Sequence, residues 1–215
     1  GAFPNLSPGR IHPPDDGWQQ IVGQIAARAE TILWSTQGRR ARQSLQAWGL
    51  RENTILRAGL GLIPGRAEQW WRIQGLIVPS GITIPWQVGA ELWAVRVRRA
   101  AGHPQYVSLS GSSTHGLYNA ARLEGHKTVL LVDRELDALL VEQECSGLAG
   151  VATLGSVTRT LNPHWLPLLV GCKTILIALD RDEARKKGAS RLRQMTRRAR
   201  IVTLPFGKDL TEFVI

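Results

Sequence analysis

Cysteine is nearly absent: Cys145 and Cys172 are the two in 215 residues. That excludes a disulfide framework and a four-thiolate zinc ribbon. Long apolar runs are also missing, since none reaches the roughly 18 residues of a membrane span, so no membrane partner is expected. The opening residues lack a signal-peptide pattern, and a cytoplasmic protein is the default expectation. Internal repeats and low-complexity tracts are absent. Acidic side chains are scarce, 17 against 27 basic ones, for a net charge of +10.

What is present argues for a folded, basic protein. Eight Trp and many aliphatic runs need a core, which excludes disorder, and the length suits one large domain or two small ones. The charge points to a polyanionic partner, and nucleic acid is the commonest. Of the 27 basic residues 22 are Arg, whose planar fork suits phosphate. Six of the acids fall in two tight groups, Asp133/Glu135/Asp137 and Asp180/Asp182/Glu183. Carboxylates crowded in this way repel one another unless a cation relieves them.

Residues 1–17 are rich in Pro and Gly and read as a flexible lead-in. Over 18–46, Ile21, Ile25, Ala29, Ile32 and Leu33 recur at helical spacing, with Trp18, Trp34, Trp48 and Trp70 expected at helical core positions. A short helix is predicted over 52–57. Residues 76–99 read as strands: in 92–98, Trp93, Val95 and Val97 alternate with Ala94, Arg96 and Arg98, predicting a hairpin with a basic outer face. After Gly125 the pattern changes. Strands are predicted at 128–132, 151–154, 174–179 and 201–204, with helices at 136–144, 163–170 and 183–198. Strands alternating with helices predict a mostly parallel α/β sheet.

Asp133 and Asp180 each directly follow a strand of that sheet. Ligands of open parallel sheets bind outside the carboxyl ends of the strands. Asp180 and Asp182, two residues apart, suit Mg²⁺, which takes one or two carboxylates and fills its remaining positions with water and phosphate. A helix cap is the alternative for a single Asp at a strand exit. Gly155, after the second strand, would let the backbone approach a ligand, and Gly207-Lys208-Asp209 offers a further base and acid.

Three segments occur in the order of a Toprim domain: Val132-Asp133-Arg134-Glu135-Leu136-Asp137, Leu179-Asp180-Arg181-Asp182-Glu183, and Gly207-Lys208-Asp209. The first resembles a hydrophobic strand followed by Glu-Gly-x-x-Asp, the second an Asp-x-Asp motif, the third the Gly-Lys-Asp of primases. Leu45-Gln46-Ala47-Trp48-Gly49-Leu50 resembles the stretch that opens the catalytic core of bacterial DnaG-type primases, and Pro104-Gln105-Tyr106 and Gly116-Leu117-Tyr118-Asn119 resemble the basic subdomain that precedes their Toprim domain. There are departures: Asp133 stands where the family has Glu, Arg134 and Arg185 where it has Gly, and Gln105 where it has Lys.

The resemblance implies an α/β Toprim sheet flanked by helices over 125–215, preceded by a small α+β basic subdomain over 18–124. It implies synthesis of RNA primers on single-stranded DNA from ribonucleoside triphosphates, with Mg²⁺ (or Mn²⁺) as cofactor. Asp133, Asp180 and Asp182 would be catalytic and, with Asp209, metal-binding; Asp137, Gly155 and Glu135 would support them. Arg96, Arg98, Lys208, Lys187 and Arg191 would contact nucleic acid or nucleotide, Lys187 and Arg191 forming a helix stripe with Arg198. A replicative helicase or other replication protein is a further expected partner. With no zinc ribbon before residue 18 and little after Gly-Lys-Asp, the chain reads as a catalytic core belonging to a larger replication, mobile-element or defence system. A Toprim nuclease and a catalytically degenerate DNA-binding module or adaptor are the rival readings.

Overall fold

The computed structural model describes residues 11–113, 115–145, 147–156, 161–178 and 196–202. Helix α1 (Asp16–Trp34) starts where the Asp15 carboxylate accepts the Trp18 amide at 2.9 Å, a capped N-terminus that satisfies one orphan donor. Its buried stripe is Val22, Ile25, Ala29 and Leu33, whereas Ile21 is exposed. The helical pattern predicted over 18–46 is two helices. α1 stops at Ser35, and α2 (Arg39–Ala47) begins after Gly38, whose absent side chain would stand 2.0 Å from the Leu33 carbonyl oxygen. The chain doubles back there because only glycine tolerates that approach. A short α3 (Glu52–Arg57) lies where the sequence predicts it.

The strands β1 (Gly61–Ile63), β2 (Trp70–Ile73), β3 (Leu76–Pro79), β4 (Gly81–Val88), β5 (Glu91–Arg98) and β6 (Tyr106–Ser108) follow. All but β2 and β3 form an antiparallel sheet of order β1-β4-β5-β6; β2 and β3 make a separate two-stranded hairpin. Trp70 therefore lies on a strand, not a helix, and is 45% exposed, with the Arg99 guanidinium 5.1 Å from its ring. The predicted hairpin is β4–β5, but its second face is not an outer face. Ala94, Arg96 and Arg98 pair in register with Trp86, Ile84 and Ile82, and Ile82, Ile84, Trp86 and Ala94 join a core cluster with Val129 and Leu131 of the second sheet and Leu136 of the helix that follows its first strand. The opposite face, with Val95 and Val97, packs with Val22, Ile25 and Ala29 of α1. Alternation marks two faces without saying what covers each.

The second sheet is parallel: β7 (Thr128–Val132), β8 (Gly150–Thr153), β9 (Thr174–Ala178) and β10 (Ala199–Ile201), in the order β10-β9-β7-β8. β7 and β9 are continuous β-branched and Leu-rich runs, the pattern of strands covered on both faces. Helix α4 (Glu135–Glu144) connects β7 to β8, and a 3₁₀ segment (Pro163–Leu169, with Pro167 inside it) replaces the helix predicted at 163–170. α4 has little amphipathic character because it is buried nearly all round: Leu136, Ala138, Leu139, Leu140 and Val141 are all in the core. Its Gln143 side chain accepts from the Arg51 amide and the Thr54 hydroxyl, each at 2.7 Å, and donates to the Gly49 carbonyl at 2.9 Å. Its other N–H donates to Glu144 of the same helix at 2.8 Å, so the side chain is fully satisfied and three of its four bonds tie α4 to residues 49–54.

Both cysteines are free thiols. Among the described residues no helix is long and apolar enough to cross a membrane. Gly23 and Gly38 should respond oppositely to substitution. Gly23, inside α1, has nothing within 4 Å of an added Cβ, so Gly23→Ala should raise unfolding free energy by about 0.5–1 kcal/mol. Gly38→Ala should lower it by more than about 1 kcal/mol. Urea unfolding measures both.

Candidate nucleic-acid active site

Consecutive strands β7 and β8 are neighbours, and the chain then crosses to the other side of β7 to form β9. The carboxyl end of β7 is thus the switch point of the sheet, where the two loops part and leave a crevice. Asp133 is the first residue beyond it, next in line after the Val132–Ala178 pair of β7 and β9. Asp133 is 6% exposed, its Oδ2 3.4 Å from Arg134 Nε, and its main-chain oxygen accepts the Thr153 hydroxyl at 2.8 Å. Thr153 Oγ1 in turn accepts the Gly155 amide at 2.9 Å, so the β7 and β8 exits are tied together.

The other two acids of the group sit in the first turn of α4, where the positive end of the helix favours carboxylates. They do not share a site. Glu135 is fully buried and points at the antiparallel sheet: its Oε1 accepts from Arg96 Nη1 at 2.7 Å and from the Trp86 indole at 3.1 Å. Burial pushes its pKa up, and the Arg96 charge opposes that shift. Asp137 instead lines a cleft with Trp48, Leu50, Arg98, Tyr106, Arg134 and Leu136.

That cleft is aromatic and cationic. Arg98 lies 3.9 Å over the Trp48 ring, and Tyr106 has Arg96 at 5.1 Å and Arg134 at 6.0 Å from its ring centre. Stacking on a ring holds a guanidinium flat. Burial, with the Glu135 charge adding to it, raises the Tyr106 phenol to about 12.

The structure thus gathers Asp133, Glu135, Asp137, Arg96, Arg98 and Gly155 where the two sheets meet. Arg96 is 12% exposed and faces the interior rather than a solvated strand surface. Gly155 does let backbone come close, but to the protein itself: a Cβ there would lie 2.5 Å from Arg96 Nη1 and 2.6 Å from the Trp86 ring. Asp180, Asp182, Lys187, Arg191, Lys208 and Asp209 lie outside the described residues. Among the described residues no group of three or more His, Cys, Asp or Glu is arranged to hold a metal ion. Arg198, expected in a basic stripe with Lys187 and Arg191, donates to the carbonyls of Leu169, Val170 and Cys172, capping the 3₁₀ segment. Sequence reading missed Trp48, Trp86, Tyr106 and Thr153 as parts of this site, although Trp48 and Tyr106 lie in the 45–50 and 104–106 segments that carry the resemblance.

No family model matches the chain. It is 28% identical over 142 residues to the Gene 57 protein of Mycobacterium phage D29, covering 65% of this chain and 89% of that protein. It superposes on the DnaG catalytic core with a TM-score of 0.73 at 19% identity, over 91% of this chain and 74% of that one. The fold is that of the DnaG-type primase catalytic core. A DnaG primase catalytic domain bound to single-stranded DNA gives a TM-score of 0.70 at 18% identity, over 91% of this chain and 73% of that one. The primase fragment of the bacteriophage T7 primase-helicase protein gives 0.59 at 19% identity, over 78% of this chain and 66% of that fragment, just under two thirds of its length. The parallel sheet with its flanking helices is the α/β architecture that the three acidic segments implied.

The buried phenols of this primase-type fold offer a direct check. Tyr106 and Tyr118 are the only tyrosines in the sequence, and burial raises both. An ordinary phenol is half ionised near pH 10. Tyrosinate absorbance at pH 10 should therefore be nearly absent in the folded protein and rise on unfolding to about half of its fully ionised value. Because the unfolded chain loses these protons first, stability contributed by the neutral phenols is intact below about pH 10 and falls as pH rises toward 12.

Proposed function

We propose that this chain is the catalytic core of a DNA primase-type nucleotidyltransferase, making RNA primers on single-stranded DNA in a Toprim-type site. The observation that carries the reading is the placement of Asp133 at the switch point of the parallel sheet, with Asp137 one helical turn further on and a cationic cleft from the antiparallel sheet beside them. Both portions of the chain are basic, +6 over 1–124 and +4 over 125–215, which suits a cradle rather than a separate DNA-binding module.

Asp133 and Asp137 are hard oxygen donors, and they fit a Mg²⁺ or Mn²⁺ ion that takes few carboxylates and leaves positions for phosphate. Glu135 does not fit as a ligand, because its Oε1 is committed to Arg96 and Trp86. Asp180, Asp182 and Asp209 complete the donor set in this reading. The ion would neutralise charge developing on the transferred phosphoryl group. Asp133 would orient and accept the proton of the attacking 3′ hydroxyl. Arg98 and Arg134 would hold triphosphate or template phosphate at the cleft, with Lys208, Lys187 and Arg191 adding further phosphate contacts. Single-stranded DNA, ribonucleoside triphosphates and a helicase are the partners this implies.

One observation favours the rival reading of a binding module: the Arg134 guanidinium stands 3.4 Å from the Asp133 carboxylate. Primer synthesis on a single-stranded template with Mg²⁺ or Mn²⁺ decides. The wild-type chain should make short oligoribonucleotides, and Asp133→Asn should slow synthesis by about 10²–10⁴-fold while leaving single-strand binding in place. Binding without product would favour the module, degraded template the nuclease, and an unaffected Asp133→Asn would remove Asp133 from the chemistry.

A further inference from the structure

We infer that Arg96 is a positioning residue for Asp133, acting from the other sheet. The inference rests on the proposed function for its catalytic consequence and on geometry for the coupling itself. One nitrogen, Nη1, donates to Glu135 Oε1 at 2.7 Å and to the Gly155 carbonyl at 2.7 Å. Glu135 is two residues beyond Asp133, at the first position of α4. Gly155 reaches Asp133 from the other side, its amide donating to Thr153 Oγ1 at 2.9 Å while that hydroxyl donates to the Asp133 carbonyl at 2.8 Å. One guanidinium thus reaches Asp133 by two routes, one hydrogen-bonded throughout via Gly155 and Thr153, the other via Glu135 and the two backbone steps from it to Asp133.

Each part is fixed in place. Arg96 lies at one end of the β5–β6 pairing, opposite Ser108, and within the longer β4–β5 pairing, opposite Ile84. Trp86, one register step along on the same face, donates to the same Glu135 oxygen. Gly155 has φ +65°, and any side chain there would strike Arg96 and Trp86. Glu135 is completely buried and Thr153 likewise, so water does not replace these bonds at low cost. The brace is a charge pair where an apolar contact would give the same cohesion, since buried ion pairs are weak contributors to net stability. What it supplies that apolar packing does not is direction: two aimed hydrogen bonds that fix the strand exits bearing Asp133.

The test compares Arg96→Met with the double variant Arg96→Met/Glu135→Leu. The single variant leaves a buried carboxylate unpaired, and its melting midpoint should fall by roughly 10 °C. The double variant removes both charges, and its midpoint should return to within about 4 °C of wild type. If Arg96 positions Asp133, the refolded double variant still loses about 10-fold or more in kcat for primer synthesis, with KM for nucleotide little changed, and the Asp133 carboxyl carbon resonance is displaced. A double variant that recovers stability, kcat and the wild-type Asp133 resonance together overturns the inference and makes the pair purely cohesive. The resonance keeps the two questions apart. A wild-type protein that makes no primer overturns the proposed function, whereas an unmoved Asp133 signal overturns the coupling whatever the activity.

Discussion

The Arg96–Glu135 ion pair is the contact on which the arrangement of the site depends. It joins β5 of the antiparallel sheet to the first turn of α4, through a carboxylate with no solvent exposure and a guanidinium with little. A buried charge of either sign alone is costly, so each partner requires the other to be where it is. The pair therefore specifies how the sheets meet more than how tightly they adhere. The adhesion comes from the apolar surface around it, where Trp86, Ile84 and Ile82 of the antiparallel sheet share a core with Val129, Leu131 and Leu136.

From that junction the division of labour follows. The parallel sheet supplies a switch point and sets an acid at it; the antiparallel sheet supplies cations and aromatic rings that flank the opening. Arg98 over Trp48 and Arg134 near Tyr106 are cations whose orientation is fixed by stacking before any ligand arrives. α4 lies between the two contributions. It carries Glu135 toward one sheet and Asp137 toward the cleft, and Gln143 anchors its far end to α3. A helix with so many roles has few positions left for solvent, which is why its sequence lacks a polar face.

Much of the parallel sheet was legible in the sequence because its strands are short apolar runs between helices, a pattern few other arrangements produce. β7 is predicted to the residue, and β8 and β9 within one. Asp133 stood out because it follows such a run. The antiparallel part was less legible. Ile21 and Ile32 have the right period for a helix face, yet the buried stripe passes through Val22, and a break at Gly38 depends on a carbonyl from α1 that no local pattern reveals. Trp70 looked like a core residue by type and became an exposed strand residue by context. Glu135 illustrates the same limit within the site: three acids at alternate positions suggest one cluster, but the turn into α4 sends Glu135 to Arg96 across 39 residues of sequence. A pairing at that separation is decided by tertiary structure alone.

In the proposed function, the β7 exit, braced between the sheets, is where a divalent ion and nucleotide phosphate meet. The most direct measurement is an anomalous-scattering map from crystals of the full chain grown with Mn²⁺ and a ribonucleoside triphosphate. The account predicts a Mn²⁺ peak in direct contact with an Asp133 carboxylate oxygen, with the triphosphate running toward Arg98 and Arg134. A Mn²⁺–nucleotide complex bound elsewhere on the protein, with Asp133 still turned to Arg134, would contradict it.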